Sequence, residues 1–205
     1  MNKEDVLQIV EDIEDKKIEV DSKWFYYAHE FDENEYKNIL SKGIKADYKK
    51  KDIFYHNEGK YYINVSRNYS EYSFCDSAYL QNINYSPLII IDKNIKVHKA
   101  NETNLLNLIL TNTKIPYRSS FYKDEFQVYK QIDRSSIIGI EFLVKSIIER
   151  RIESKRVIYE KSMTDILMDL KNIVLLLEEL NINLPIYDYT ENREINKDKV
   201  LRLKI

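Results

Sequence analysis

Apolar positions near the start of the chain first follow a helical spacing and then give way to an aromatic run. Between Asp5 and Lys17, apolar residues recur every three or four positions, which predicts an amphipathic helix. The aromatic segment Lys23–His29 is typical of a strand. A second helix is predicted after Asp32, which is a suitable N-cap with Glu35 in the capping-box position, and this helix should end at Gly43.

The middle of the chain contains four β-rich segments. Strands are predicted at Tyr61–Ser66, Ser86–Asp92, Tyr122–Tyr129 and Ser136–Phe142, and the second of these has the continuous apolar character of a central strand. Gly139 lies inside the fourth segment, where it indicates a bulge or a close approach of backbone.

The pattern becomes helical from about residue 144. Met163 to Leu180 is predicted to be a long amphipathic helix, and the charged stretch Ile186–Ile205 is expected to hold one short final helix. This order indicates an α+β fold rather than a regular βαβ repeat. We therefore expect an acidic N-terminal helix over 1–23, an α+β core over 24–143, and a helical C-terminal third over 144–205 packed on that core.

Composition narrows the classes of protein that the pattern allows. The 205 residues include 3 Gly, which cannot supply the Gly-rich loops of Rossmann, P-loop or α/β-hydrolase sites. Cys75 is the only cysteine, so no intrachain disulfide is expected and an intracellular compartment fits. The N-terminus lacks the apolar region of a signal peptide, and no apolar run is long enough to span a membrane.

The net charge and the spacing of the histidines do not point to a particular ligand. The net charge of −2 gives no general attraction to nucleic acid. The three histidines do not form an HExxH pattern, so no metal site is expected. Enrichment in Lys, Asn, Ile and Tyr is typical of an AT-rich bacterial or phage genome.

One ordered set of residues combines the chemistry of a site with a suitable placement. His29 ends the first predicted strand, Tyr62 lies at the start of the second, and Glu125 lies on a later strand. This order allows three strands of one folded sheet to direct the three residues into a common cleft.

The segments around these residues resemble the ADP-ribosyltransferase superfamily, in its His-Tyr-Glu branch. The similar features are a strand ending in His29, a helix closing with the motif Ile39–Ile44, a Tyr61-Tyr62 strand leading to Ser66, and a glutamate strand around Glu125. The resemblance covers residues 24 to about 142 and implies a split antiparallel β core.

The resemblance also implies NAD as a substrate and a role for each residue. Glu125 would bind the ribose hydroxyls and stabilise the oxocarbenium-like charge that forms as the nicotinamide–ribose bond breaks. Tyr62 would stack on nicotinamide, with Tyr72 as a second aromatic wall, and His29 would hold the ribose by hydrogen bonding. The pyrophosphate would contact Ser66, Arg67 and Arg118.

The expected function is therefore that of an NAD-dependent ADP-ribosyltransferase or NAD glycohydrolase, an effector that modifies a macromolecular target, either protein or nucleic acid, in the cytoplasm of a bacterial host. An alternative is a non-catalytic phage or bacterial protein that inhibits or regulates a host complex through its C-terminal helices. Glu30 and Phe31 favour this alternative, because they follow His29 where the family has Gly and then Ser or Thr. A third hypothesis is an RNA-acting protein.

Overall fold

The computed structural model describes residues 8–9, 12–17, 24–28, 32–46, 62–66, 87–99, 125–142, 163–188 and 193–205. Its strands are β1 (Glu14–Lys17), β2 (Phe25–Ala28), β3 (Ile44–Lys45), β4 (Tyr62–Ser66), β5 (Leu88–Ile91), β6 (His98–Lys99), β7 (Glu125–Tyr129), β8 (Gln131–Ile132), β9 (Ile137–Phe142), β10 (Ile186–Asp188) and β11 (Arg193–Ile195). Its helices are α1 (Glu33–Lys42), α2 (Met163–Glu179) and α3 (Lys197–Leu201), and a short 3-10 turn covers Arg134–Ser136.

Nine of these strands form one sheet in the order β1-β11-β10-β9-β5-β2-β4-β7-β6. Every neighbouring pair in this sheet is antiparallel except β9 and β10, which are parallel. The strands β3 and β8 form a separate antiparallel pair. A mostly antiparallel sheet with helices confirms the α+β class predicted from the sequence.

The sheet has a first face, which the helices cover, and a second face, which carries a smaller apolar cluster. The main core joins sheet residues such as Phe25 and Ile89 to Leu40 of α1, Leu170 of α2 and Val200 of α3. The second face holds a buried cluster of three residues with three partly buried neighbours: Tyr26, Leu88 and Ile90, with Trp24, Ile138 and Tyr187. The central strand β5 is buried on both faces, which is why its sequence is continuously apolar.

Helix α1 begins and ends where its sequence predicts. The Asp32 carboxylate accepts a hydrogen bond from the backbone N–H of Glu35 at 2.9 Å, which satisfies one of the unpaired donors of the first turn. Gly43 follows the last turn and donates its N–H to the carbonyl of Ile39 at 2.8 Å. Asp32 and Gly43 thus fix the two ends of the helix, which presents Tyr36 and Leu40 to the first face of the sheet.

The Tyr36 hydroxyl attaches α1 to the start of β5, and its loss should cost about 1 kcal/mol. This fully buried hydroxyl donates to the carbonyl of Pro87 at 3.1 Å. Tyr36→Phe removes the donor and leaves that carbonyl without it, so we expect the free energy of unfolding in urea to fall by about 1 kcal/mol. Ser41→Ala is the matched control, since Ser41 makes its backbone hydrogen bond on the exposed side of the same helix. Equal stability of Tyr36→Phe and wild type would contradict the assignment.

The predicted N-terminal helix extends too far, because its last turn belongs to the sheet. Residues 8–9 and 12–13 are helical, but Glu14–Lys17 form β1 and pair with β11. Two ion pairs join the strands: Lys16 of β1 lies 3.5 Å from Glu194 of β11, and Arg193 of β11 lies 4.0 Å from Glu14 of β1. A partner strand more than 170 positions away overrides the local helical spacing.

The C-terminal third is also less helical than predicted. Helix α2 and a short final helix are confirmed, but Ile186–Asp188 and Arg193–Ile195 are strands of the main sheet. Strands of three residues are too short to show a two-residue alternation, so the sequence carries no periodic signal for them. β10 is a strand because it pairs with β9, and β11 is a strand because it pairs with β10 and β1.

Gly139 confirms both the bulge and the close approach predicted from its position. The register between β5 and β9 shifts between Ile90 and Ile91. A Cβ atom at Gly139 would lie 3.2 Å from Cδ1 of Ile90 and 3.2 Å from Cε2 of Tyr187. Glycine therefore allows the Tyr187 ring to lie close to the backbone of β9.

Candidate functional site

The three strands that carry the candidate site are direct neighbours in the sheet. They lie in the order β2-β4-β7, although β5 comes between β4 and β7 in the chain. On the first face, the rings of Phe25 in β2 and Phe126 in β7 meet edge to face with centroids 5.5 Å apart. The strand that ends just before His29 in the sequence is therefore a neighbour of the strand of Tyr62, which in turn neighbours the strand of Glu125.

Backbone register brings two of the predicted site residues opposite each other. Ser66 pairs with Glu125 on one side and with Tyr26 on the other. Tyr62 lies at the other end of the same ladder, where it pairs with Tyr129. Four residues along a strand span about 13 Å, so Tyr62 and Glu125 are not adjacent positions.

His29, Arg67, Tyr72 and Arg118 lie outside the described residues. The position of His29 directly follows Ala28, the last residue of β2.

The positions of Ser66 and Glu125 belong to the second face of the sheet. Ile63 and Val65 alternate with Ser66 along β4 and lie in the core beneath the helices. Directly opposed residues share a face, and the partner Tyr26 belongs to the second-face cluster. The register thus defines a row of positions across five strands: Glu125, Ser66, Tyr26, Ile90 and Gly139.

A second row on this face contains a buried glutamate that sequence analysis did not select. Its positions are Ala28, Leu88, Glu141, Tyr187 and Glu194. Glu141 is only 1% exposed. Burial raises the pKa of its carboxyl from 4.5 to about 8, and the negative charge of Asp188 adds to the increase. A signal for it was present in the sequence, because Glu141 is the only charged residue of the apolar run Ile137–Phe142.

Aromatic side chains border Glu141 on the side of β10. Tyr187 is its register partner and stacks on Trp24 with ring centroids 6.2 Å apart and planes 19° apart. Burial raises the pKa of the Tyr187 hydroxyl, and the carboxylates of Glu194 and Glu141 raise it further. The tyrosine therefore stays neutral over the pH range in which Glu141 titrates.

The positions of Glu125 and Glu141 on this face are far apart. Four strand spacings separate β7 from β9, so the positions of Glu125 and Glu141 lie about 20 Å apart. Paired carboxylates that share acid–base work on one glycosidic bond are at most about 9.5 Å apart. Glu141 is therefore not the acid–base partner of Glu125.

Neither a metal centre nor a membrane span emerges from the described ranges. Within them, no group of three or more His, Cys, Asp or Glu side chains is arranged to hold a metal ion. None of the helices in the described part of the chain is both long enough and apolar enough to cross a membrane.

Comparisons with protein-family models, with curated proteins and with solved structures give no match to this chain.

Proposed function

We propose that this protein is an NAD-dependent ADP-ribosyltransferase or NAD glycohydrolase. The observation that supports the proposal is the adjacency of β2, β4 and β7, the three strands that carry the His-Tyr-Glu resemblance, with Ser66 opposite Glu125. The proposed site needs residues that are 96 positions apart in the chain, His29 and Glu125. The order of the strands in the sheet makes such a site feasible.

In the proposed reaction the bond between nicotinamide and ribose breaks, and nicotinamide leaves with the bonding electron pair. Positive charge develops on the ribose, and the carboxylate of Glu125 stabilises it while binding the ribose hydroxyls. A nucleophile of the acceptor, or water in the glycohydrolase reaction, then forms the new bond to the ribose and loses its proton. His29 and Tyr62 are assigned to holding the ribose and the nicotinamide ring.

The acceptor in this proposal is a macromolecule of a bacterial host, either a protein or a nucleic acid. Ser66, Arg67 and Arg118 are assigned to the pyrophosphate, and Tyr72 to the second wall of the nicotinamide pocket. These assignments come from the resemblance and depend on binding of NAD.

Replacing Glu125 should abolish turnover without unfolding the protein. Loss of one group that stabilises developing charge typically lowers the rate about 10²- to 10³-fold, so we expect nicotinamide release from NAD by Glu125→Ala to fall at least about 100-fold. Glu125 is the first residue of β7, and its removal should leave the thermal unfolding midpoint within a few degrees of wild type.

The matched control is Glu178→Ala, which removes an exposed carboxylate from the end of α2. It should release nicotinamide at the wild-type rate. The proposal would be wrong if millimolar NAD neither raised the wild-type melting temperature nor gave nicotinamide, or if Glu125→Ala kept full activity. A stable host partner that Glu125→Ala still binds would then favour the non-catalytic alternative.

A further inference from the structure

Glu141 is enclosed in a way that suits only the neutral form of its carboxyl group. It lies on β9 between apolar Leu88 of β5 and Tyr187 of β10, and 1% of its surface is exposed. Its Oε2 atom has no hydrogen-bond partner, and no ion pair joins Glu141 to a lysine or arginine among the residues that the structure describes. A buried carboxylate without donors or a cation is costly, whereas the protonated acid is tolerated.

The nearby carboxylate of Asp188 makes the ionisation of Glu141 still less favourable. On β10, Asp188 is fully buried and adjacent to Tyr187, and on β11 Glu194 pairs with Tyr187. The neighbouring cation Arg193 is directed to β1 instead, where its guanidinium donates to the carbonyl of Asp15 at 3.2 Å. The carboxylate of Asp188 therefore disfavours the ionised form of Glu141 further, whereas Glu194 is paired with Lys16 at 3.5 Å.

We propose that Glu141 is a buried proton-binding site that holds the β5-β9-β10 end of the sheet closed while it is protonated and opens this end when the proton is lost. The carboxylate that remains must be hydrated, and hydration requires Leu88 and Tyr187 to move away from Glu141. The same row of positions ends at Ala28, so opening would also affect the end of β2. The inference does not depend on the proposed reaction with NAD.

The pH range of the switch follows from the two states of the carboxyl group. Its pKa is about 8 in the closed form and 4.5 when exposed. Between these two values the ratio of open to closed molecules rises about tenfold per pH unit, and it is constant above the higher value. Loss of the proton can therefore drive opening only between pH 4.5 and about 8.

The protein contains its own probe of this event. Trp24 is the only tryptophan of the chain, and it stacks on Tyr187, the register partner of Glu141. Opening of the second face changes the surroundings of the indole ring. The emission of Trp24 therefore reports the state of the switch in the full-length protein.

The test is a titration of Trp24 fluorescence from about pH 4.5 to about pH 9 in the full chain. Wild type should show a one-proton change in emission within the range given above, and Glu141→Gln, which mimics the protonated acid, should show none. Glu194→Gln is the matched control, because it removes a nearby carboxylate of the same row but keeps Glu141, and it should retain the transition. A wild-type emission that does not change with pH, or a transition that persists in Glu141→Gln, would overturn the proposal.

A second measurement on wild type covers the case in which Glu141→Gln does not fold. Infrared spectra should show a carboxylic-acid band that persists above the pH at which exposed carboxyl groups are ionised and that is lost together with the fluorescence change. Complete ionisation of all carboxyl groups at the ordinary pH would equally overturn the proposal. Neither readout requires NAD, so failure of the switch and failure of the proposed enzymatic function are distinguishable.

Discussion

Alanine at position 43 is expected to lower the free energy of unfolding by about 3 kcal/mol or more. Gly43 has φ 83° and ψ −174°, a backbone conformation that is essentially restricted to glycine. Its Cβ would overlap the carbonyl oxygen of Ile132 and would lie 2.8 Å from the nitrogen of Arg134. Backbone strain and overpacking each cost about 1–3 kcal/mol, and here both apply because the obstructing atoms belong to the backbone.

Chemical denaturation of Gly43→Ala and wild type measures this difference directly. Lys45→Ala is the matched control, because Lys45 is exposed and lies two residues further along, in β3. It should change the free energy of unfolding by less than about 0.5 kcal/mol. A loss of under about 1 kcal/mol in Gly43→Ala would show that β8 does not pack against this cap as described.

Stability should also depend on pH through Glu141, and this is the second large effect. The folded-state pKa of about 8 is higher than the unfolded-state value of 4.5, so the unfolded chain releases the proton first as the pH rises. The contribution of Glu141 is therefore complete below pH 4.5, decreases steadily, and is lost by about pH 8. Between about pH 5 and pH 8 the loss amounts to at most about 3 kcal/mol, because it stops at the pH at which the native sheet opens and exposes the carboxyl group.

Glu141→Gln should remove this dependence, because an amide does not ionise. Urea unfolding at several pH values should show the variant gaining on wild type by up to about 3 kcal/mol across that range, whatever its stability at low pH. Glu178→Gln, with an exposed side chain, should keep the wild-type slope. Parallel curves for wild type and Glu141→Gln would mean that this carboxyl group titrates normally.

The two glutamates of the second face are thus assigned to different tasks. Glu125 is assigned to the chemistry at the proposed NAD site, where it acts as a carboxylate. Glu141 lies about 20 Å away in a closed part of the same face, where the neutral acid is favoured. Their separation means that substitutions at one should leave the readout of the other largely unchanged.

Local signals in the sequence located most of the elements on which the site depends. The cap at Asp32 and the stop at Gly43 delimit α1 because their effects involve only backbone groups within a few residues. The apolar run Leu88–Ile91 indicated a central strand for a similarly local reason, since every side chain of such a strand is buried. The strand of Tyr62 and the strand of Glu125 were recognised by composition and alternation.

The sequence by itself determined the α+β class, the bounds of α1 and the candidate set around Glu125, because each rests on spacing or on short motifs. The tertiary structure decided that Glu14–Lys17 and the residues after α2 add strands, that Ser66 rather than Tyr62 lies opposite Glu125, and that Glu141 is buried. These outcomes depend on pairing between distant segments and on the loss of water around a side chain. Hydrophobic periodicity describes one segment at a time, so it contains neither the register nor the burial that sets a pKa.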